Sequence, residues 1–221
     1  MWRVDEIVKA VNGIPFRIEN EVFSGISTDS RSIVEGELFI PLSGKNYDGH
    51  KFIDDANRRS HGGSLCEKGS KDAAEGAGGT IILVDDTMKA LLALAKYKRE
   101  HLNGTFIAIT GSNGKTTTKE MLTHMIGGTF PIHYNEKNYN NLIGVSKSIL
   151  SVNGKPEFFI FELGTNSRGE IRQLALVTQP DISLITNINP SHLEGLGDLE
   201  GILAEKLDLF YHTRKGGKVF I

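Results

Sequence analysis

The sequence predicts an α/β protein: a small mixed α/β N-terminal domain, then a doubly wound, mostly parallel sheet. Three observations point there. Beyond Asp86, short apolar runs alternate with stretches of helical spacing, the pattern of repeated strand–helix units. Before that point the elements do not alternate and read as a smaller mixed unit. With 221 residues, the chain has room for one large domain or two small ones.

In the first part, Trp2, Val4, Ile7, Val8 and Val11 have helical spacing, so residues 2–12 are expected to be a helix that stops at Gly13. Gly36–Leu42 reads as a strand, Ser43–Gly49 as a polar loop and residues 50–60 as a short helix. Cys66–Gly79, with four glycines and five charged residues, reads as surface, and Thr80–Val84 as a buried strand. The pattern changes at Asp85–Asp86, which places the domain boundary near residue 85 and divides the chain into 1–85 and 86–221.

Thr87–His101 then reads as a helix with Leu91, Leu92, Leu94 and Ala95 on its apolar side. The expected strands are Thr105–Thr110, Phe130–Tyr134, Phe158–Leu163 and Ile182–Thr186. The expected helices are Lys115–Ile126, Ile143–Leu150, Arg168–Val177 and Leu199–Phe210. Lys218–Ile221 begins one more strand and the chain stops inside it, so an incomplete second domain is expected.

Composition excludes several classes. Lys plus Arg is 25 against 27 Asp plus Glu, a net charge of -2, so the overall basic character of a nucleic-acid binder is missing. The 25 glycines follow no fixed period, which excludes collagen. The single cysteine, Cys66, allows neither an intrachain disulfide nor a Cys-based metal cluster. Arg3, Asp5 and Glu6 stand where a signal peptide needs an apolar run, and runs such as Ile81–Val84 are far too short for a bilayer. A cytoplasmic protein without nucleic-acid or membrane partners is the expectation.

Residues 106–118, FIAITGSNGKTTT, run from an apolar strand through a Gly-rich turn into a helix. Such a turn surrounds an anion with bare N–H groups and a helix N-terminus. Gly111 and Gly114 allow close backbone approach, Lys115 can reach the β- and γ-phosphates, and the Thr116 hydroxyl can hold Mg²⁺. Ile109 occupies the first glycine position of the longer consensus, so the match is the shorter G-x-x-G-K-T. A chance occurrence arises in roughly one chain per hundred of this length, from average composition. The flanking strand and helix reduce that further, so the second domain is read as a P-loop ATPase-type sheet.

In an open parallel sheet, ligands sit beyond the carboxyl ends of the strands. The segments after the four strands are Gly111–Thr116, Asn135–Asn141, Glu162–Gly164 and Asn187–His192, all polar or phosphate-binding. Glu162 could hold Mg²⁺ directly or through water, or be an acidic residue at an exposed strand end. His192 reads as a metal or phosphate ligand, or as a solvated loop residue. Asn138, Asn140 and Asn141 also suit simple turns, and Lys206 also suits a solvated helix face beside Glu205 and Asp208.

Further segments make the chain resemble the Mur ligases, ATP-dependent amide-bond-forming enzymes of bacterial cell-wall synthesis. They are STDSR (Ser27–Arg31), GELFIPLSG (Gly36–Gly44), DGHKFI (Asp48–Ile53), ITGSNGKTTTKEM (Ile109–Met121), NYNNLIGV (Asn138–Val145), ELGTNSRGEI (Glu162–Ile171), NINPSHLEGLG (Asn187–Gly197) and EKLDLF (Glu205–Phe210). The N-x-N-N-x-I-G and E-x-G-x-x-x-x-G-E-I patterns resemble the branch that adds D-alanyl-D-alanine. The chain departs from the family's usual residues at Lys137 (usually Gly), Ser146 (Pro) and Glu205 (Ala).

The resemblance implies three domains: one binding the UDP end of the precursor, one binding ATP, and one receiving the incoming amino component. The chain corresponds to the first and about half of the second. By resemblance, Thr110, Gly111, Ser112, Asn113, Gly114, Lys115, Thr116, Thr117 and Asn187 bind ATP. Thr116 and Glu162 hold one Mg²⁺ and His192 helps hold a second. Lys206 matches a lysine that is carbamylated into a metal ligand. Lys115, Asn138, His192 and Lys206 are the catalytic set. Ser27, Thr28, Asp29, Ser30, Arg31, Asn46, Asp48, Gly49 and His50 form the uridine-diphosphate site, and Asn140 and Asn141 meet the muramoyl-peptide end. The implied substrates are UDP-N-acetylmuramoyl-tripeptide and D-alanyl-D-alanine, the implied cofactors ATP and Mg²⁺, and the implied state a monomer. Two other readings compete: another Mur-type or folylpolyglutamate-type ligase, and a nucleotide-binding module without catalysis.

Overall fold

The computed structural model describes residues 1–221 except 45, 137, 191 and 192, with the backbone alone at 193 and 194. The chain divides into two units, Met1–Leu94 and Ala95–Ile221. The division falls inside a helix that begins just after the Asp85–Asp86 break in the sequence.

The first unit opens with β1 (Trp2–Arg3), α1 (Val4–Val11), β2 (Ile14–Arg17), β3 (Val22–Phe23), β4 (Ile26–Ser27) and β5 (Leu38–Phe39). A hairpin of β6 (Ser43–Gly44) and β7 (Tyr47–Asp48) leads through a 3-10 turn (Gly49–Phe52) into α2 (Ile53–Ser60). Then come β8 (Gly63–Glu67), α3 (Asp72–Glu75), β9 (Thr80–Val84) and α4 (Thr87–Glu100), which carries the chain into the second unit. The sheet order is β2-β9-β8-β5-β4, parallel except for the edge strand β2. Ile33, Phe39, Ile53, Ala56, Cys66, Ala74, Ala77 and Ile81 form a buried cluster in this unit.

Several sequence expectations shrink here. The helix expected over 2–12 starts at Val4, because Trp2 and Arg3 pair with Phe23 and Val22. Its left-handed C-terminal residue is Asn12 at φ 49°, not Gly13. The strand expected over Gly36–Leu42 is only Leu38–Phe39, bounded by Gly36 at φ +80° and by Pro41, which has no N–H to donate. The loop at Ser43–Gly49 contains the β6–β7 hairpin. Cys66–Gly79 is not surface throughout, since Cys66, Ala74 and Ala77 are core residues.

In the second unit, β10 (Thr105–Thr110), α5 (Lys115–Gly127), β11 (Ile132–Tyr134), α6 (Leu142–Leu150), β12 (Phe158–Glu162), α7 (Glu170–Thr178), β13 (Ile182–Ile185), the short α8 (Leu193–Leu196), α9 (Leu199–Tyr211) and β14 (Lys218–Phe220) follow in order. The sheet is wholly parallel, in the order β11-β12-β10-β13-β14. Alternation along β10 divides two packed faces. Ile107 and Ile109 face Leu122 and Ile126 of α5. Phe106 stacks on Phe159 at 4.1 Å, with the Arg99 guanidinium 3.5 Å above its ring. Arg99 also donates to the carbonyls of Thr178 (2.7 Å) and Gln179 (2.9 Å), closing the C-terminus of α7 on that second face. Ser183, in register with Ala108, bonds Thr213 just past α9 at 2.7 Å, so α9 ends on this face too. Helices on both faces make the sheet doubly wound. Among the described residues, no helix is long and apolar enough to cross a membrane.

Candidate functional site

Parallel pairing brings the ends of three strands together. Ile109 of β10 is in register with Glu162, and Thr110 with Ile185, so β10, β12 and β13 all discharge their loops at one edge. The Gly-rich turn leaves β10 there. Gly111 has φ +148°, and a Cβ on it would collide with the Thr186 hydroxyl. Gly114 stands in the left-handed region at φ +80°, just before α5, and that helix start has no side-chain cap. Its first N–H groups are left for an anion.

The segment leaving β13 braces this turn. Ser112 N–H donates to the Asn187 carbonyl (3.1 Å), Ser112 Oγ to the Asn189 carbonyl (2.6 Å), and Asn113 N–H to Asn187 Oδ1 (3.0 Å). Thr186 Oγ1 and Asn187 Nδ2 both donate to the Asn113 carbonyl, at 2.6 and 3.0 Å. The Asn187 side chain, expected at the nucleotide, is engaged in bracing the loop. A Gly111→Ala chain is therefore expected to lose about 3 kcal/mol of stability, from strain at a glycine-only φ plus the clash with Thr186. Urea unfolding followed by a nucleotide titration checks both the loss and the accompanying loss of binding.

Lys115 folds back over the turn, its Nζ donating to the carbonyls of Gly111 (2.8 Å) and Ser112 (3.3 Å). Burial holds its ammonium below the usual lysine value, and the charge of Glu162 partly restores it. Thr116 Oγ1 donates to Glu162 Oε2 at 2.7 Å, and Asn140 Nδ2 to Oε1 at 2.8 Å. The carboxylate is buried. Among the described residues no three His, Cys, Asp or Glu side chains come together as a cation cage. One carboxylate and one hydroxyl beside a phosphate loop are nevertheless hard oxygen donors, and they fit an Mg²⁺ ion whose other ligands are phosphate and water.

The three asparagines separate. Asn140 bonds Glu162, Asn141 caps α6 by accepting from Gly144 N–H at 2.8 Å, and Asn138 lies in an exposed turn. Two buried groups here escaped the sequence reading. Asn135 and Lys119 lie behind Glu162, joined by a 2.8 Å bond from Lys119 Nζ to the Asn135 carbonyl. An asparagine at a strand exit was the only signal for either.

Lys206 is buried in α9, with 1% of its surface exposed, and no bond reaches its ammonium among the described residues. The solvated pairing with Glu205 or Asp208 is thereby ruled out. Burial pulls its pKa from 10.5 down to about 8; Lys115 pushes the same way and Glu205 opposes. The folded state thus pays for the charged amine below about pH 8, and the penalty fades as pH rises toward 10.5. In CO2-free buffer, Lys206→Met should stabilise the chain at pH 7 by roughly 3 kcal/mol, an advantage that vanishes near pH 10.5. Denaturation curves across that range test the sign.

Glu205 instead accepts from Gly169 N–H (2.6 Å), Ile171 N–H (2.8 Å) and Thr165 Oγ1 (3.2 Å), closing the N-terminus of α7. His192 lies outside the described residues.

In the first unit the predicted residues form two local groups, one at the end of β4 and one at the β6–β7 hairpin and the turn after it. Ser27 and Asp29 bond within one turn, and Asp29 takes the exposed Arg31 guanidinium through two oxygens, at 2.9 and 2.8 Å. Thr28 is half-buried and Ser30 buried. Buried His50 sits between Asp48 Oδ1 (2.9 Å from Nδ1) and Glu67 N–H, which donates to Nε2 at 3.2 Å. That fixes the neutral tautomer with its proton on Nδ1. Bonds from the His50 main-chain N–H and then its ring hold the Asp48 carboxyl below its usual range. Gly49 lies against the Leu42 backbone, and Asn46 is exposed in the hairpin turn.

Two models of one protein family match the chain. The Mur ligase middle domain matches residues 109–221, and the catalytic domain of the Mur ligase family matches residues 22–99. The UDP-N-acetylmuramoyl-tripeptide–D-alanyl-D-alanine ligase of Bacillus subtilis is 36% identical over 214 residues, 97% of this chain and 46% of that protein. The crystal structure of MurF from Acinetobacter baumannii superposes with a TM-score of 0.90 at 30% identity, over 99% of this chain and 48% of that one. MurF of Thermotoga maritima, solved in complex with ADP, superposes with a TM-score of 0.80 at 29% identity, over 89% of this chain and 45% of that one. The chain spans about half the length of the curated relatives it matches.

Proposed function

The chain belongs to the Mur ligase family, and from that premise we propose that it carries the ATP-binding and precursor-binding machinery of a ligase joining D-alanyl-D-alanine to UDP-N-acetylmuramoyl-tripeptide. The observation that carries this reading is the Thr116–Glu162 pair, 2.7 Å apart, beside Lys115 and an uncapped helix start. The names of the relatives supply the substrates.

A free carboxylate is a poor acyl donor. In the proposed reaction its oxygen attacks the γ-phosphorus, ADP departs, and an acyl phosphate forms. The D-alanyl-D-alanine amine then attacks the acyl carbon, phosphate leaves, and the amine gives up a proton. Lys115 neutralises the γ-phosphate as the carboxylate approaches, and the first N–H groups of α5 hold the β-phosphate. Thr116 and Glu162 would hold Mg²⁺, which supplies charge neutralisation between the phosphates. Lys206, part neutral near pH 8, is suited to add CO2 and lose a proton, becoming an anionic carbamate. Asn138 and His192 complete the proposed catalytic set.

Residues 1–85 form the proposed uridine-diphosphate domain, through Ser27–Arg31 and Asn46–His50, and residues 86–221 the proposed ATP domain. Asn140 and Asn141 are assigned to the muramoyl-peptide end. We further propose a cytoplasmic monomer with these small substrates as its partners; the net charge of -2 supports leaving out nucleic acid.

Calorimetric titration of the whole chain tests the reading. Saturable binding of both Mg·ATP and UDP-N-acetylmuramoyl-tripeptide is expected. Binding of ATP together with a glutamylated folate, and not the uridine precursor, would contradict it.

A further inference from the structure

Glu162 has a main chain as tightly held as its carboxylate. On one side β10 pairs with it, Ile109 lying in register and accepting from Leu163 N–H at 2.8 Å. On the other side the β11–β12 ladder stops at Tyr134, paired with Ile160, two residues short of Glu162. An unpaired N–H and C=O would be left buried there. The Asn135 side chain, fully buried, takes over: its Oδ1 accepts from Glu162 N–H at 2.9 Å, and its Nδ2 donates to the Glu162 carbonyl at 2.9 Å. One amide thus does what a further rung of β-strand would do.

The same Nδ2 donates to the Tyr139 carbonyl at 2.8 Å, and Tyr139 immediately precedes Asn140, which holds Glu162 Oε1. On the far side, Lys119 Nζ donates to the Asn135 carbonyl at 2.8 Å. Lys119 is fully buried on α5, one turn beyond Thr116, which holds Oε2. Asn135 therefore ties together every element that aims the carboxylate: β12, the loop bearing Asn140, and the helix bearing Thr116.

We infer that Asn135 is a positioning residue for the Glu162 carboxylate, fixing through its side-chain amide the direction in which that carboxylate meets a nucleotide-bound divalent cation. The inference rests on the proposed ATP-and-cation reading of this site. A group that orients a ligating carboxylate changes cation affinity while leaving contacts to the nucleotide untouched, and partners of this kind typically contribute 10- to 100-fold.

The test compares ADP affinity with Mg²⁺ and with EDTA, in wild type and in Asn135→Ala. In wild type, Mg²⁺ should tighten ADP binding. In Asn135→Ala the tightening should fall by about 10-fold or more, while ADP affinity in EDTA stays within about twofold. Asn135→Asp, which keeps the shape but sets oxygen against two carbonyls, serves if the alanine variant does not fold and should show the same selective loss. Leu174→Ala, a truncation in the core under α7, controls for lowered stability and should keep the wild-type ratio. An unchanged ratio in a folded Asn135 variant, or an equal loss in Leu174→Ala, overturns the inference. A wild-type ratio of one overturns the cation reading of the site and this inference with it.

Discussion

Replacing Lys115 with alanine should weaken ATP binding by about 10- to 100-fold, the worth of one charged hydrogen bond to phosphate, and remove phosphoryl transfer altogether. The side chain contributes nothing to the packed core. Its two bonds go to the main-chain carbonyls of Gly111 and Ser112 in the loop, not to core side chains. The folded structure should survive, so the unfolding midpoint should shift little. Lys115→Arg is informative beside it, because the charge is retained but the longer fork does not fit a site built around a single ammonium. Unchanged nucleotide affinity in a folded Lys115→Ala chain would remove Lys115 from the account.

Glu205→Leu should be the most destabilising single change considered, at about 5 kcal/mol. The carboxylate is buried and receives three donors, Gly169 N–H, Ile171 N–H and Thr165 Oγ1. Leucine fills similar space and satisfies none of them, and each buried orphan costs about 1–3 kcal/mol. That total approaches the whole stability of a typical domain, 5–15 kcal/mol. Glu205→Gln, which keeps an acceptor oxygen, should recover more than half of the loss. Urea denaturation at neutral pH distinguishes the two. A leucine variant as stable as wild type would show that α7 does not depend on this cap.

Much of the second unit was legible in the sequence, because β10, β12 and β13 are largely apolar runs of four to six residues and α5, α6, α7 and α9 are helices of nine residues or more. Thr105–Thr110 and Thr80–Val84 are strands over the ranges expected of them. The first unit was harder to read. Six of its strands (β1, β3, β4, β5, β6 and β7) are only two residues long and carry no periodicity at all. In Cys66–Gly79, Ala74 and Ala77 are small enough to enter the core without an apolar signature.

The site divides along similar lines. Gly111, Gly114, Lys115 and Thr116 lie close in sequence, so a local pattern exposes them. Glu162 followed from its place at a strand end. Asn135 and Glu205 act on main-chain groups at Glu162 and Gly169, far away along the chain. Only the three-dimensional pairing discloses those bonds, since any side chain with the right acceptor could make them. The same holds for Asn187, which the family resemblance assigned to the nucleotide and whose side chain braces Asn113.

Nucleotide phosphates held in the turn between β10 and α5, with a cation at Thr116 and Glu162, should register on the amides of those same residues. The most direct test is a backbone-amide NMR titration of the whole chain with Mg·ADP. The account predicts the largest shifts at Gly111–Thr117 and Glu162, with the Glu162 shift lost when EDTA replaces Mg²⁺. Saturable binding that leaves those amides unmoved while perturbing others would contradict it.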